Sequence, residues 1–302
     1  MAAIAQRKPT GPMKTHTVEG GGGLQLHVRE WGKADGPPIL FIHGWLQNHL
    51  CWDKQYESAL RDEFRLVAYD LRGHGMSEAP PGPEHYTDGK LWADDLAAII
   101  NQMGLERPVL VGWSYGAFVI CDYVRAYGQD RIAAVNFVEG AVRLGEAAFG
   151  TLIGPGFLDQ FVDATADDLP TNIRGMRAFL KACLAKPLPA DDFETALCWN
   201  IVVAPRIRAN LAAREIDGDD VLRALEVPLL VTQGRADTVV LPAMAEQVLA
   251  TCPTAEASWY EGVGHLPHLQ EPERFNRELA ALTRRVRYRT LGSAPPVGQS
   301  SG

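Results

Sequence analysis

The chain has 302 residues, 46% hydrophobic and 22% charged, which is enough apolar material to fill a large core. Its 29 Lys and Arg against 37 Asp and Glu give a formal charge of −8. That balance offers no general attraction to phosphate backbones or anionic lipid, so nucleic acid and membrane are set aside as partners.

Residues 1–14 lack periodicity and read as a loose arm whose basic residues have no apolar run behind them, unlike a secretory signal. THTVE and the alternating LQLHVREW (24–31) flank Gly20 to Gly23, the pattern of an antiparallel hairpin. Continuous apolar runs follow: PILFIHG (38–44), RLVAYDL (65–71), PVLVGWS (108–114), AAVNFVEG (133–140), PLLVTQG (228–234) and ASWYEG (257–262). Runs of this kind suit strands buried on both faces of a parallel sheet. Helical patterns lie between them. Trp92, Leu96, Ile99, Ile100 and Met103 share one face, and so do Phe275, Leu279, Leu282 and Val286 after Pro272.

The alternation predicts an α/β fold, a mostly parallel central sheet flanked by helices with right-handed crossovers. From about Ala141 to Ala224 no buried strand is evident, only helix-like pieces and prolines. The expected organisation is a core of 15–140 and 226–288, with a helical cap at 141–225 inserted after the sixth strand. A disordered tail follows at 289–302, rich in Gly, Ser and Pro. The cysteines (Cys51, Cys121, Cys183, Cys198, Cys252) are odd in number and scattered, without a C-x-x-C pair. They read as reduced, mostly buried thiols of a soluble cytoplasmic protein.

Ser114 sits in Gly112-Trp113-Ser114-Tyr115-Gly116 between a predicted strand and a predicted helix. A G-x-S-x-G at such a turn forces the serine into a sharp, exposed position, as a nucleophile requires. A hydroxyl is a weak nucleophile and needs a base within hydrogen-bond reach. His265, on a loop at the carboxyl edge of the sheet, is expected to be that base, and His268 a packing residue. A metal reading of His265 and His268 lacks a nearby third ligand. The carboxylate behind the histidine is expected to be Asp237, in GRADTVVLP. Glu139, at the end of AAVNFVEG, is the alternative. Backbone amides of Trp45 and Tyr115 are expected to hold a developing oxyanion.

FIHGW, YDLRGHGMS, GWSYG, GRADTVVLP and GVGHLPHLQEP, in this order, resemble the α/β-hydrolase superfamily over roughly residues 15–288. The order nucleophile, acid, histidine carries over to Ser114, Asp237 and His265. Asp70 and Arg72 match a turn that fixes loops beside the pocket. The serine nucleophile sets the chain apart from the superfamily's dehalogenases and epoxide hydrolases. The HGW and GWS pairing is similar to serine carboxylesterases, including the pimeloyl-ester hydrolase of biotin synthesis, and to cofactor-free haloperoxidases that act as perhydrolases. Ala117 stands where many relatives have another glycine.

The resemblance implies hydrolysis of a small-molecule carboxylic ester through an acyl-enzyme, without metal or organic cofactor. The alternatives are the same three residues acting on a lactone, on a carbon–carbon bond or in peracid formation, and a ligand-binding module without catalysis. Trp45, Trp113, Tyr115, Trp199 and Phe157 suggest an apolar pocket for acyl or aryl esters. A charged substrate would need a basic residue such as Arg143 or Arg174. The oligomeric state is not legible from the sequence.

Overall fold

The computed structural model describes residues 13–292. Two strands, β1 (Lys14–Glu19) and β2 (Gln25–Gly32), form the expected antiparallel hairpin, with Glu19 opposite Gln25. Its turn is a glycine 3-10 segment in which Gly22 and Gly23 take φ of 71° and 79°. Lys14 therefore already belongs to the sheet rather than to the arm. Residues 1–12 of that arm, and 293–302 of the tail, lie outside the described residues.

The apolar runs become β3 (Pro38–Ile42), β4 (Arg65–Tyr69), β5 (Val109–Trp113), β6 (Ala134–Val138), β7 (Leu229–Gly234) and β8 (Ala255–Tyr260). Among the described residues they build one eight-stranded sheet in the order β1-β2-β4-β3-β5-β6-β7-β8. From β4 to β8 every pairing is parallel, and only the β1–β2 and β2–β4 pairings are antiparallel. Every residue of β5 and β6 is buried, which explains their unbroken apolar sequence. β8 is an edge strand and half exposed.

The chain runs outward from β3 to β4 and returns to place β5 on the other side of β3. A reversal of this kind opens a crevice above the carboxyl ends of β3 and β5, the usual place for a ligand in an open parallel sheet. Helix α1 (Gly89–Gln102) starts at Asp88, whose carboxylate caps the Lys90 amide at 2.8 Å, and buries the predicted Trp92, Leu96, Ile99 and Ile100. Helix α2 (Tyr115–Tyr127) follows β5 directly.

Between β6 and β7 the chain leaves the sheet through α3 (Pro155–Ala164), α4 (Leu169–Ala182), α5 (Ala190–Ile201) and α6 (Pro205–Ala212). A two-residue antiparallel pair closes the stem, with Arg143 opposite Asp217 and Leu144 opposite Ile216. Beyond that stem α7 (Asp219–Ala224) packs against α2 and against α8 (Pro242–Thr251). The helical excursion thus ends before the expected boundary at 225. The final helix, α9 (Pro272–Gly292), runs past the expected end of the core at 288. No described helix is long and apolar enough to cross a membrane. All five cysteines are unpaired, and Cys198 alone of them is exposed.

Arg72 and Asp95 are both fully buried, and the guanidinium meets the carboxylate through Nε and Nη2, each at 2.8 Å. The same guanidinium donates to the carbonyls of Gly21, His85 and Leu91, joining the hairpin turn to α1. Removing one member of a buried pair leaves the other charge uncompensated. Arg72→Leu is therefore expected to lower stability by about 3–5 kcal/mol in urea unfolding, and adding Asp95→Leu should recover most of it. A single-variant loss below about 1 kcal/mol would show the pair to be solvated.

Candidate active site

Ser114 stands between the last residue of β5 and the first of α2, with φ 52° and ψ −113°. A non-glycine residue with positive φ is strained unless its surroundings fix it. Here they do. The Ser114 amide donates to Val138 O at 2.9 Å, and Ser114 O accepts from Ala117 N at 3.0 Å and Ala141 N at 3.2 Å. A Cβ on Gly116 would fall 2.4 Å from Ile42 O, so only glycine lets α2 start this close to β3. A Cβ on Gly44 would lie 3.1 Å from Ser114 Cβ, which puts the turn after β3 against the serine.

That turn is Gly44 to Gln47, closed by Gln47 N donating to Gly44 O at 3.2 Å, with Leu46 at φ 70°. Leucine occupies a turn position that favours glycine. Among the described residues the Trp45 amide donates to no carbonyl. The Tyr115 amide opens α2 and has no carbonyl of its own helix to meet. Both residues line the same cavity as Ser114. His43 fixes the turn from behind. Its Nε2 accepts from Leu71 N at 2.9 Å, leaving Nδ1–H for Gly44 O at 2.8 Å.

At the other end of the cavity His265 Nδ1 lies 2.7 Å from Asp237 Oδ2. Asp237 Oδ1 accepts from the Val239 amide at 2.7 Å and the Val240 amide at 3.2 Å, so the loop after β7 grips its own carboxylate. Both side chains are buried. The His265 amide donates to Cys183 O at 2.8 Å, and its carbonyl accepts from Trp113 Nε1 at 2.9 Å. With Nδ1 held by the aspartate, Nε2 is the nitrogen left for the cavity. Glu139, at the end of β6 with φ 48°, reaches the same place, and ligand atoms of Glu139, Asp237 and His265 lie within 4.8 Å of one another.

The cavity is narrow, with about 570 Å³ of free space counting its mouth. Trp45, Phe118, Leu144, Ile153, Phe157 and Phe179 form an apolar part of its wall, and Gln47, Ser114 and His265 are among its polar residues. Trp45 packs edge-on against Phe157 and Phe179, with ring centroids 4.9 and 5.3 Å apart.

The structure thus brings Ser114, His265, Trp45, Trp113 and Tyr115 to one cavity, with Asp237 behind the imidazole. Trp199 is not part of the lining. Its indole donates to Gln47 Oε1 at 2.7 Å, so Gln47 stands between it and the cavity. Nor do Arg143 and Arg174 reach the cavity. Arg143 pairs with Asp219 and Asp217 at the stem, and Arg174 meets Thr171. Gln47 and Phe179 escaped sequence reasoning. Gln47 had no chemical signal, and Phe179 is one of many aromatics on a helical face.

Comparison with known proteins identifies the family. A model described as the alpha/beta hydrolase family matches residues 39–278, and the chain belongs to that family. The bifunctional esterase/perhydrolase DCH of Acinetobacter calcoaceticus is 28% identical over 279 residues, covering 87% of this chain and 97% of that protein. A crystal structure from Burkholderia cenocepacia, described as a candidate aryl esterase, superposes with a TM-score of 0.86 at 37% identity, covering 90% of this chain and 99% of that one. Esterase RhEst1 from Rhodococcus sp. ECU1013 gives a TM-score of 0.85 at 32% identity, with the same coverage.

Three buried histidines surround the site without lining it. His268 lies between Trp52 and Trp113, with both ring nitrogens buried and unpartnered. Burial pushes it down to about 3, His43 to about 3 and His74 to about 4. All three are neutral in the fold and protonate in the unfolded chain below about 6.5. The stability held by their neutral packing is full above that pH and is lost as pH falls toward about 4. Each histidine contributes about 1.4 kcal/mol per pH unit within the window. His268→Phe is therefore expected to lose less stability than wild type between pH 6 and 4, by about 1.4 kcal/mol per pH unit in urea unfolding. An unchanged slope in that variant would mean that His268 takes up a proton in the folded state.

Proposed function

We propose, from the premise of membership in the alpha/beta hydrolase family, that this chain hydrolyses neutral, apolar carboxylic esters through an acyl-enzyme on Ser114. The hydroxyl of Ser114 attacks the ester carbonyl while His265 Nε2 takes its proton. Asp237 keeps the imidazole in the tautomer with Nδ1–H and stabilises the imidazolium that forms. The oxyanion rests against the amides of Trp45 and Tyr115. His265 then protonates the departing alcohol, and a water activated by the same imidazole releases the acid. No step calls on a metal or an organic cofactor.

The observation that most supports this reading is the 2.7 Å contact between His265 Nδ1 and Asp237, made at the wall of a cavity that also holds Ser114. The strain at Ser114 is a second support, because backbone strain persists where a side chain must be held in one exposed position. For the substrate, the support is the lining. Among the described residues no Asp, Glu, Lys or Arg side chain lines the cavity, so an anionic acyl group would lose its hydration without a cationic partner. The narrow space and the aromatic wall of Trp45, Phe157 and Phe179 favour a short or medium acyl chain, or an aryl group. Phe157, Phe179 and Ala212 come from α3, α4 and α6, so the excursion between β6 and β7 acts as a lid over the nucleophile.

A chain-length panel of nitrophenyl esters tests the reading. Turnover is expected for short and medium neutral acyl groups, and a fluorophosphonate should label Ser114. Ser114→Ala should abolish both. Asp237→Asn should lower kcat by about 10³–10⁴-fold while leaving the fold intact. Wild-type turnover in Ser114→Ala would remove the nucleophile from the scheme. A half-ester of a dicarboxylic acid cleaved as fast as its neutral counterpart would refute the apolar pocket.

A further inference from the structure

Glu139 has no part in the scheme above, although it lies at the heart of the site. Its amide donates to Thr232 O at 2.9 Å, and its Oε1 accepts from the Gly234 amide at 2.6 Å. Its other oxygen, Oε2, is buried and without a hydrogen-bond partner. The residue is fully buried, and its carboxyl group faces Asp237. As two anions, these carboxylates would sit within a few ångströms in a dry place, with one oxygen of Glu139 unsatisfied.

The surrounding groups offer no relief. The Cys183 thiol is held neutral by burial and by the charge of Asp237, and His268 is neutral as well. Among the described residues, Asp237 is the charged group that faces Glu139. One proton on one carboxyl resolves the conflict, and the donors decide which carboxyl carries it. Asp237 already accepts three hydrogen bonds, two from backbone amides at Oδ1 and one from the imidazole at Oδ2. Glu139 accepts one. Asp237 Oδ2 keeps one lone-pair site open, and the orphaned Oε2 of Glu139 becomes satisfied once it is an O–H.

We propose that Glu139 is a positioning residue of this site: a neutral acid that donates its proton in a hydrogen bond to Asp237 and, by drawing charge from that carboxylate, sets how firmly His265 holds a proton. Burial and the charge of Asp237 both drive the Glu139 carboxyl well above the usual carboxylate range, in keeping with this geometry. The proposal rests on the reading of Asp237 and His265 as acid and base, and it assigns Glu139 a different role from the replacement acid that its strand-end position first suggested. No proton leaves Glu139 during the reaction.

The test compares Glu139→Leu with Glu139→Gln. Leucine removes the donor, Asp237 regains its full charge, and His265 holds its proton more firmly. The acid limb of kcat/KM, and of fluorophosphonate labelling, should then move up by about half to one pH unit. Glutamine reproduces the neutral acid, since its carbonyl can accept from Gly234 and its NH2 can donate to Asp237. It should return the limb to the wild-type position. In the infrared spectrum at neutral pH, wild type should show a protonated carboxyl band that Glu139→Gln lacks.

A limb that stays put in Glu139→Leu overturns the proposal, and so does a limb that moves down in Glu139→Gln, as loss of an anion would cause. Identical infrared spectra do the same. If Glu139→Leu fails to fold, the glutamine variant and the infrared band still decide. If wild type cleaves no ester, the proposed function fails, yet the infrared comparison still reports whether Glu139 carries the proton.

Discussion

Between the end of β3 and the first turn of α2 there is no room for a side chain: a methyl on Gly116 would sit 2.4 Å from Ile42 O. That crossing of backbones sets the path of everything around it. It fixes where α2 begins, and thereby holds Ser114 at φ 52° with its amide engaged by the last residue of β6 and its carbonyl by the loop that follows. Leu46 and Glu139, on the loops after β3 and β6, share the positive φ of Ser114. Strain of this kind costs of order 1–3 kcal/mol per residue and survives only where the scaffold over-determines it. The scaffold here is the centre of a parallel sheet, where every residue of β5 and β6 is buried.

The same burial governs the charges. In a dry interior an ion must find donors or shed its charge, and both outcomes are visible within a few ångströms. Asp237 finds two amides and an imidazole. His43, His74 and His268 are kept neutral by their burial. Arg208 of α6 is fully buried and has no ion-pair partner among the described residues. It donates to Ala164 O at 2.7 Å, and to Asn200 O and Ile201 O at 3.1 Å each. Those carbonyls are the last of α3 and α5, where the helix dipoles present partial negative charge. With a further bond to Asn172 Oδ1 of α4 at 3.0 Å, one guanidinium joins all four helices of the excursion, and burial lowers it only to about 10.

The sheet was legible because strands covered on both faces cannot afford polar residues, and PILFIHG or PVLVGWS admits little else. The elbow was legible because Gly112 and Gly116 flank the serine at the one spacing the crossing allows. Asp237 could be preferred over Glu139 but not separated from it, since both sit at strand ends on the same edge; the two Val amides that hold Asp237 come from a loop whose closure no pattern announces. The excursion was legible only as an absence of strands. Periodicity tells which face of a helix is apolar and not what that face meets. Trp199 could thus be expected in the cavity while Gln47, a residue with no chemical signature, stands there in front of it. Arg208 gave no signal either, because most of its partners are backbone carbonyls that every sequence supplies.

Trp45 is where these threads meet. Its amide belongs to the turn after β3, beside Ser114, while its ring packs against Phe157 and Phe179 of the excursion. Its indole N–H donates to the carbonyl of Arg208 at 3.1 Å, the residue whose guanidinium binds the excursion helices together. A displacement of α6 would therefore have to break that hydrogen bond or pull on the strained turn at Leu46. Either way, the helices that shape the apolar wall and the turn that carries the Trp45 amide are joined through this residue. A side chain that changes the packing of Phe157 or Phe179 therefore bears on the Trp45 ring, and through it on the turn beside Ser114 as well as on the wall.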